Sequence, residues 1–287
     1  MRKVLFISLG CDKNLADSEE MLGMLVTHGY EITNDETEAN VAIINTCAFI
    51  HDAKEESIQA ILEMADYKTK GNLKALIVTG CLAQRYKEEI TKEIPEVDAV
   101  LGTNSQAALL DAVDEALKGK VSHVFTPLEG IPQMPGKRMI TTGGFYEYLK
   151  IAEGCNKHCT YCIIPYARGR VRSRKREEVI KEVERLVALG YQEFVLTGIH
   201  LSSYGIDCED SLLNLIVAVQ NVEGVKRIRL GSLEPRIITE EFVKTLSSLP
   251  AICPHFHLSL QSGCTETLKR MNRKYTAGEY LEGCRLL

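Results

Sequence analysis

Short, nearly continuous apolar runs separated by stretches of helical periodicity dominate the first half of the chain. Residues 4–9 (Val4-Leu5-Phe6-Ile7-Ser8-Leu9), 41–46 (Val41-Ala42-Ile43-Ile44-Asn45-Thr46) and 75–80 (Ala75-Leu76-Ile77-Val78-Thr79-Gly80) have strand length. They lack the alternation of a half-exposed strand, so both faces are expected to be covered. After the first run, Asp17-Ser18-Glu19 reads as the cap and acidic first turn of a helix with Met21, Leu22, Leu25 and Val26 on its apolar face and Gly29 as its stop. Helical stretches also follow the second run, around residues 53–64, and the third. Buried parallel strands alternating with helices predict an open α/β sheet.

The second half repeats the strand–helix alternation. Residues 148–152, 193–197, 227–231 and 255–260 read as strands, each followed by a helical stretch. The clearest helix covers 177–189, with Val179, Ile180, Val183, Leu186 and Val187 on one face and Gly190 as its stop. Four such units make only part of a closed barrel, so an incomplete βα barrel is expected. Between the halves, Pro127, Gly130, Pro132, Pro135 and Gly136 interrupt any regular pattern. The predicted organisation is an α/β domain over residues 1–120, a linker over 121–144 and a partial barrel over 145–287. The final Glu282-Gly283-Cys284-Arg285-Leu286-Leu287 falls inside a helical stretch, and the barrel is expected to be cut short.

Composition changes this picture little. With 287 residues, 45% of them hydrophobic, the chain can bury two cores of ordinary size. No signal peptide and no apolar run of membrane-spanning length are evident, so the ten cysteines read as thiols of a reducing, cytoplasmic setting, metal ligands or packing residues rather than disulfides. The net charge of -5 hides an asymmetry. Residues 1–145 carry 14 Lys and Arg against 22 Asp and Glu, and residues 146–287 carry 20 against 17. An acidic chain is no generic nucleic-acid coat, but Arg168, Arg170, Arg172, Arg174, Lys175 and Arg176 form a local basic run. Alternation would put the first four on one face, either to meet RNA phosphates or simply as a solvated stretch; no base-stacking array accompanies them.

The cysteines carry the chemistry. Cys155, Cys159 and Cys162 are spaced C-x3-C-x2-C directly after an expected strand, with no fourth thiol nearby. Structural zinc wants four closed ligands, whereas a 4Fe-4S cluster on three thiolates leaves one iron free for a small molecule. Half a zinc knuckle or a disulfide loop are the alternatives. Tyr161 could offer a flat ring on which a purine stacks. Cys11, Cys47 and Cys81 each follow an expected strand, at the carboxyl end where open α/β sheets gather ligands. They lie 36 and 34 residues apart, about one βα unit each time, so right-handed crossovers bring them to one edge. Any one alone could be a small buried side chain; three in equivalent positions predict a second three-thiolate site.

The loop from Cys155 to Cys162 resembles the radical S-adenosylmethionine signature. With Leu9-Gly10-Cys11-Asp12-Lys13-Asn14, Asn45-Thr46-Cys47 and Thr79-Gly80-Cys81, the chain resembles the methylthiotransferases of that superfamily, which carry two 4Fe-4S clusters. The resemblance implies that the cluster on Cys155, Cys159 and Cys162 binds and reductively cleaves S-adenosylmethionine. It implies that the cluster on Cys11, Cys47 and Cys81 holds a sulfide that is methylated and then transferred to a substrate carbon. By the same resemblance, Tyr161, Thr197, Gly198, Ser232, Glu234 and Gln261 contact the cofactor; the family's barrel has six units followed by a small β domain that grips the substrate, and the last barrel strands and that domain are expected to be absent here. The implied partners are an electron donor such as flavodoxin or ferredoxin and a sulfide source, with the chain a monomer.

Two branches of the family are echoed. Asp12-Lys13-Asn14, Thr141-Thr142-Gly143-Gly144 and Glu153-Gly154-Cys155 resemble the branch that methylthiolates an aspartate of ribosomal small-subunit protein twelve. Leu196-Thr197-Gly198-Ile199-His200-Leu201-Ser202-Ser203-Tyr204-Gly205 and Gly231-Ser232-Leu233-Glu234-Pro235 resemble the branch that modifies threonylcarbamoyl-adenosine in tRNA. The ribosomal aspartate is the expected substrate. An electron-transfer protein and a zinc scaffold are the non-enzyme readings, and both leave the missing fourth ligands unexplained. His200, His255 and His257 read as packing or surface residues, and Cys208, Cys253, Cys264 and Cys284, which share no metal spacing, as structural.

Overall fold

Six parallel strands make the first sheet: β1 (Lys3–Ser8), β2 (Glu31–Thr33), β3 (Val41–Thr46), β4 (Ala75–Gly80), β5 (Ala99–Leu101) and β6 (Ser122–Val124), in the order β2-β1-β3-β4-β5-β6. The computed structural model describes residues 2–131 and 137–287. Pro132, Pro135 and Gly136 of the expected linker therefore lie outside the described residues. By contacts the chain divides into Met1–Thr141 with Tyr166–Arg168, and Thr142–Pro165 with Gly169–Leu287.

Every residue of β3 and β4 is buried, as their unbroken apolar runs predict. Alternate side chains divide between two faces. Val41, Ile43, Ala75 and Ile77 pack with Met21, Met24 and Leu25 of α1 (Asp12–Thr27). Ala42, Ile44, Leu76 and Val78 pack with Ile61 and Met64 of α2 (His51–Lys70), with Leu82 of α3 (Cys81–Arg85) and with Ile90 of α4 (Lys87–Glu93). Leu109 and Val113 of α5 (Leu109–Ala116) complete the first layer. The order reverses between β1 and β3, and a ligand site is expected in the crevice beyond their carboxyl ends.

Two expectations for this unit fail. The first helix begins at Asp12, so Asp17, Ser18 and Glu19 lie inside it and are buried, while Val26 is exposed. The polar trio tolerates burial because each side chain has a distant partner. Ser18 Oγ lies 2.7 Å from Ser8 Oγ and accepts from Asn45 Nδ2 at 2.9 Å. Asp17 pairs with Arg168 at 2.7 Å, and Glu19 with Arg138 at 2.5 Å and with the Thr141 N–H at 2.6 Å. Within the stretch read as linker, Ser122–Val124 forms the edge strand β6, paired with β5.

In the second unit, β7 (Tyr146–Glu153), β8 (Arg172–Ser173), β9 (Glu193–Gly198) and β10 (Arg227–Leu230) are ordered β10-β9-β7-β8, with β8 antiparallel to β7 and the others parallel. Of the remaining helices, α6 (Ile164–Arg168) has its last three residues in the first unit, and α7 (Arg176–Ala188), α8 (Leu212–Gln220), α9 (Glu240–Ser247), α10 (Thr265–Arg270) and α11 (Ala277–Leu286) belong to the second. Val179, Val183 and Leu186 of α7 are buried as its periodicity predicts. Residues 255–260 do not form the expected strand; they make only the isolated parallel bridge Leu233↔Leu258, beyond the end of β10. Pro254 has no N–H to offer a ladder, and the Ser259 and Leu260 carbonyls accept from the Tyr275 hydroxyl instead.

Candidate metal centres

Three strand ends supply the first cysteine set. Cys11 follows β1 as the residue before α1, Cys47 follows β3, and Cys81 follows β4 as the first residue of α3. Cys11 is exposed and the other two are buried. Close approach of these loops requires glycine at two places. Gly10 has φ +95°, and a Cβ there would stand 2.9 Å from Cys47 Sγ. Gly80 has φ +94°, and a Cβ there would stand 2.4 Å from the Thr46 carbonyl oxygen.

A buried polar network fixes the spacing of the three ends. Asn14 Nδ2 donates to the Leu9 carbonyl at 2.9 Å and to the Thr46 carbonyl at 3.0 Å, tying together the approaches to Cys11 and Cys47. Thr46 Oγ1 donates to the Thr79 carbonyl at 2.5 Å, tying in the approach to Cys81. At its centre stands Arg168, 1% exposed. Its Nη1 donates to Asp17 at 2.7 Å, its Nη2 to Asn14 Oδ1, and its Nε to Cys81 Sγ at 3.2 Å. Burial pushes the Cys47 and Cys81 thiols up, with Arg168 opposing, so a metal that takes these sulfurs as thiolates must release their protons.

The second set lies on the loop after β7. Gly154, at φ +71°, brings the chain so close to Arg170 that a Cβ would meet its carbonyl oxygen at 1.8 Å. The Cys155 N–H donates to the Gly169 carbonyl at 2.9 Å, and the Cys162 N–H closes a turn on the Cys159 carbonyl at 3.0 Å. Residues 271–273 brace the loop. The Thr160 N–H donates to the Met271 carbonyl at 3.2 Å, Asn272 Nδ2 to the His158 carbonyl at 2.9 Å, and Arg273 Nη1 to Cys159 Sγ at 3.4 Å. Burial pushes the Cys155 and Cys162 thiols up as well.

Among the described residues no three His, Cys, Asp or Glu side chains converge as they would on a single ion. A four-iron cluster spreads its thiolates over separate irons and needs no such convergence. Three thiols without a fourth, glycines that let the cysteine-bearing loops pack closely and an arginine facing one sulfur at each site fit such a cluster better than zinc. Cys208, Cys264 and Cys284 are exposed and Cys253 is buried.

The other expected cofactor contacts sit at or beyond strand ends of the second unit. Thr197, fully buried, and Gly198 close β9. Ser232 Oγ lies 2.7 Å from Ser259 Oγ and 3.0 Å from His257 Nδ1. Glu234 pairs with Lys157 of the cysteine loop at 3.1 Å and with Arg236 at 3.1 Å. Burial works against its charge, but these two cations hold its carboxyl below the ordinary range. The Ser259 carbonyl accepts from Arg273 Nη2 at 3.3 Å, so Glu234 is linked to the cysteine loop directly and Ser232 through Ser259 and Arg273. Tyr161 is half exposed and Gln261, at φ +69°, is exposed. His200 ends this rim; burial, then the charge of Lys157, hold its imidazole down to about 4, and its Nδ1 lies 2.6 Å from Ser203 Oγ.

The basic run does not form one face. Arg168 is buried, Arg172 is 8% exposed, Arg174 pairs with Glu182 at 2.6 Å and Arg176 with Asp210 at 2.9 Å, leaving Arg170 and Lys175 exposed. Gly169, at φ +71°, breaks the alternation after α6, and acidic partners elsewhere in the chain take the charges. Sequence reasoning missed Arg168, Asn14, Lys157 and Arg273 as site residues. Asn14 stands in the motif around Cys11, and Arg168 was hidden in the charge run.

Comparison with known proteins adds an independent line. Residues 3–102 match the uncharacterized protein family UPF0004, and residues 149–287 match the radical SAM superfamily. The ribosomal protein uS12 methylthiotransferase RimO of Lachnoclostridium phytofermentans is 48% identical over 95% of this chain, and that of Clostridioides difficile 42% over 100%. The chain spans 62% and 65% of the length of these two relatives. Among solved structures, the radical S-adenosylmethionine methyltransferase TsrM from Kitasatospora setae, with tryptophan substrate and a SAM analog bound, matches with a TM-score of 0.62 at 14% identity, over 100% of this chain and 65% of that one. Its form with cobalamin and a [4Fe-4S] cluster bound gives 0.63 over 99% and 67%. At that identity the likeness is one of fold alone.

Proposed function

We propose that the chain is a methylthiotransferase of the radical S-adenosylmethionine superfamily, a reading supported by the two matched families and by its likeness to the RimO proteins, and that it replaces a hydrogen of ribosomal protein uS12, on an aspartate, with a methylthio group. The observation that carries this reading is the gathering of Cys11, Cys47 and Cys81 at three strand ends of the first unit, together with the presence of a separate C-x3-C-x2-C loop in the second. Each set lacks a fourth thiolate, which suits an iron that must stay open to a ligand. When bound, the clusters and S-adenosylmethionine supply what acid–base groups cannot, a carbon radical that takes the hydrogen and a methylated sulfur that replaces it.

The residues hold and tune this chemistry. Cys11, Cys47 and Cys81 would hold one cluster and Cys155, Cys159 and Cys162 the other. Burial of Cys47 and Cys81 keeps water from their sulfurs, and their protons leave when the thiolates form. The Lys157–Glu234 pair fixes the middle of the second loop, and Arg273 offers a positive charge to the Cys159 thiolate. Tyr161 gives a stacking surface for an adenine, and Gly198 leaves room for backbone contact with a methionine moiety. On this reading the first unit, Met1–Thr141 with Tyr166–Arg168, houses the first cluster, and the second, Thr142–Pro165 with Gly169–Leu287, houses the other.

The partners are uS12, a low-potential electron donor such as flavodoxin or ferredoxin and a sulfide source, met in the cytoplasm by a monomer. No described helix is long and apolar enough to cross a membrane. The pairing of Arg168, Arg174 and Arg176 with carboxylates weakens the basic run as a contact for RNA phosphates. Anaerobic reconstitution with iron and sulfide, iron counting and an optical spectrum test the metal assignment; about eight irons per chain are expected. Mass spectrometry of uS12 and of bulk tRNA after turnover tests the substrate. Bound zinc without a charge-transfer band, or a methylthio group on tRNA alone, would overturn the reading.

A further inference from the structure

Arg168 is an unusual residue to find fully buried, because a guanidinium in a protein interior must have its charge and its donors matched. It has both. Asp17 balances the charge at 2.7 Å, Asn14 Oδ1 takes a second donor, and Nε points at Cys81 Sγ at 3.2 Å. Its neighbour Ala167 is fully buried in the core of the first unit, and the Ala167 carbonyl accepts from Thr103 Oγ1 at 2.7 Å. The arginine therefore enters the first site on a fixed backbone, although in sequence it stands six residues after Cys162.

We propose that Arg168 is a positioning residue of the first cluster, whose Nε–H holds the Cys81 thiolate and raises the reduction potential of the iron–sulfur group bound there. The inference rests on the reading that Cys11, Cys47 and Cys81 hold such a cluster. A hydrogen bond to a ligating sulfur draws electron density from it and favours the reduced, more negative state. Asp17 offsets the charge of the guanidinium but not the directed Nε–H···S bond, so the bond survives in the paired state. Arg168 Nε meets Cys81 Sγ directly at 3.2 Å, whereas it acts on Cys47 through its charge, which makes Cys81 the distinctive sulfur of the three. Asn14 joins the effect to geometry, since the side chain that receives Arg168 Nη2 also holds the backbones before Cys11 and Cys47.

The test uses the full chain with Cys155, Cys159 and Cys162 replaced by Ala, so that only the first cluster is titrated. After anaerobic reconstitution, the one-electron midpoint is read by EPR with dithionite as reductant. It is compared with Arg168→Lys, which keeps a positive charge for Asp17, and with the neutral pair Arg168→Gln and Asp17→Asn. The expected result is a midpoint shifted to lower potential in both, with iron retained. If the neutral pair does not fold, as judged by melting of its apo form, the Lys variant carries the comparison. An unchanged midpoint at full iron content overturns the inference while leaving the cluster assignment intact. Absence of first-site iron from the parent overturns the assignment and the inference together.

Discussion

Arg273 Nη1 donates to Cys159 Sγ at 3.4 Å, while Nη2 of the same guanidinium reaches the Ser259 carbonyl at 3.3 Å and Nε the Tyr275 hydroxyl at 3.1 Å. One side chain thus connects the middle thiol of the second set to the segment after the last sheet contact. Tyr275 in turn donates to the Leu260 carbonyl at 2.8 Å, so the brace is anchored at both ends.

Replacing Arg273 by Met should loosen this loop without emptying the core. Hydrogen bonds to a charged group contribute about 1.5–3 kcal/mol each, so cleavage of S-adenosylmethionine is expected to fall by about 10- to 100-fold. Iron should leave the second site faster in the presence of a chelator. The first site should be unaffected, which a Cys155, Cys159 and Cys162 background can confirm. Cleavage within twofold of the parent would show that the contact to Cys159 is incidental.

Gly10 offers a narrower test of the first site. A Cβ there would lie 2.8 Å from the Cys47 Cβ, in a backbone conformation that L side chains rarely adopt. Gly10→Ala is therefore expected to separate the Cys11 loop from Cys47 and to cost about 1–3 kcal/mol in strain. First-site iron should drop by at least half at equal protein concentration, while the far-ultraviolet circular dichroism stays that of the parent. Full iron content in the variant would mean that the loops need not approach as closely as they do.

The strands that carry the cysteines were legible because β3 and β4 are buried on both faces and their apolar runs have no competing interpretation. What remained illegible was long-range polar pairing. Asp17, Ser18 and Glu19 have the local chemistry of a helix start, and only partners far along the chain explain why they lie inside α1. Arg168 has the local chemistry of a phosphate ligand and becomes a buried site residue for the same reason. The expected strand at 255–260 failed in a related way, since side chains of Arg273 and Tyr275 take carbonyls that a ladder would have used. Apolar periodicity is a local signal; the pairing of buried charges is set by topology.

Stability should fall in acid through His200. Burial, then Lys157, hold its pKa down to about 4 from the usual 6.5. The unfolded chain takes up the proton near 6.5 and the folded chain resists it until about 4, so this stabilisation is present above 6.5 and is lost as the pH falls between the two values. The parent should lose about 2 kcal/mol at most between pH 7 and 5 that His200→Gln does not lose. Urea midpoints of both proteins at the two pH values measure the difference. Equal losses would assign the acid sensitivity to other groups.

The two cysteine sets should assemble independently. Cys11, Cys47 and Cys81 belong to the first compact unit, and Cys155, Cys159 and Cys162 to the second. The short stretch after Cys162 could couple them in the chain, since on the proposed reading Arg168 serves the first site. That stretch is anchored without the second set: Ala167 is buried in the first core, its carbonyl accepts from Thr103, and Arg168 is paired with Asp17 and Asn14. Changing Cys155, Cys159 and Cys162 to Ala should therefore abolish cleavage of S-adenosylmethionine and leave about four irons per chain. The converse change of Cys11, Cys47 and Cys81 to Ala should also leave about four irons, still release 5'-deoxyadenosine and transfer no sulfur. Iron counts, product chromatography and mass spectrometry of uS12 read the three outcomes in one preparation. Loss of all iron from the first variant would show that the anchoring of Arg168 depends on the second loop.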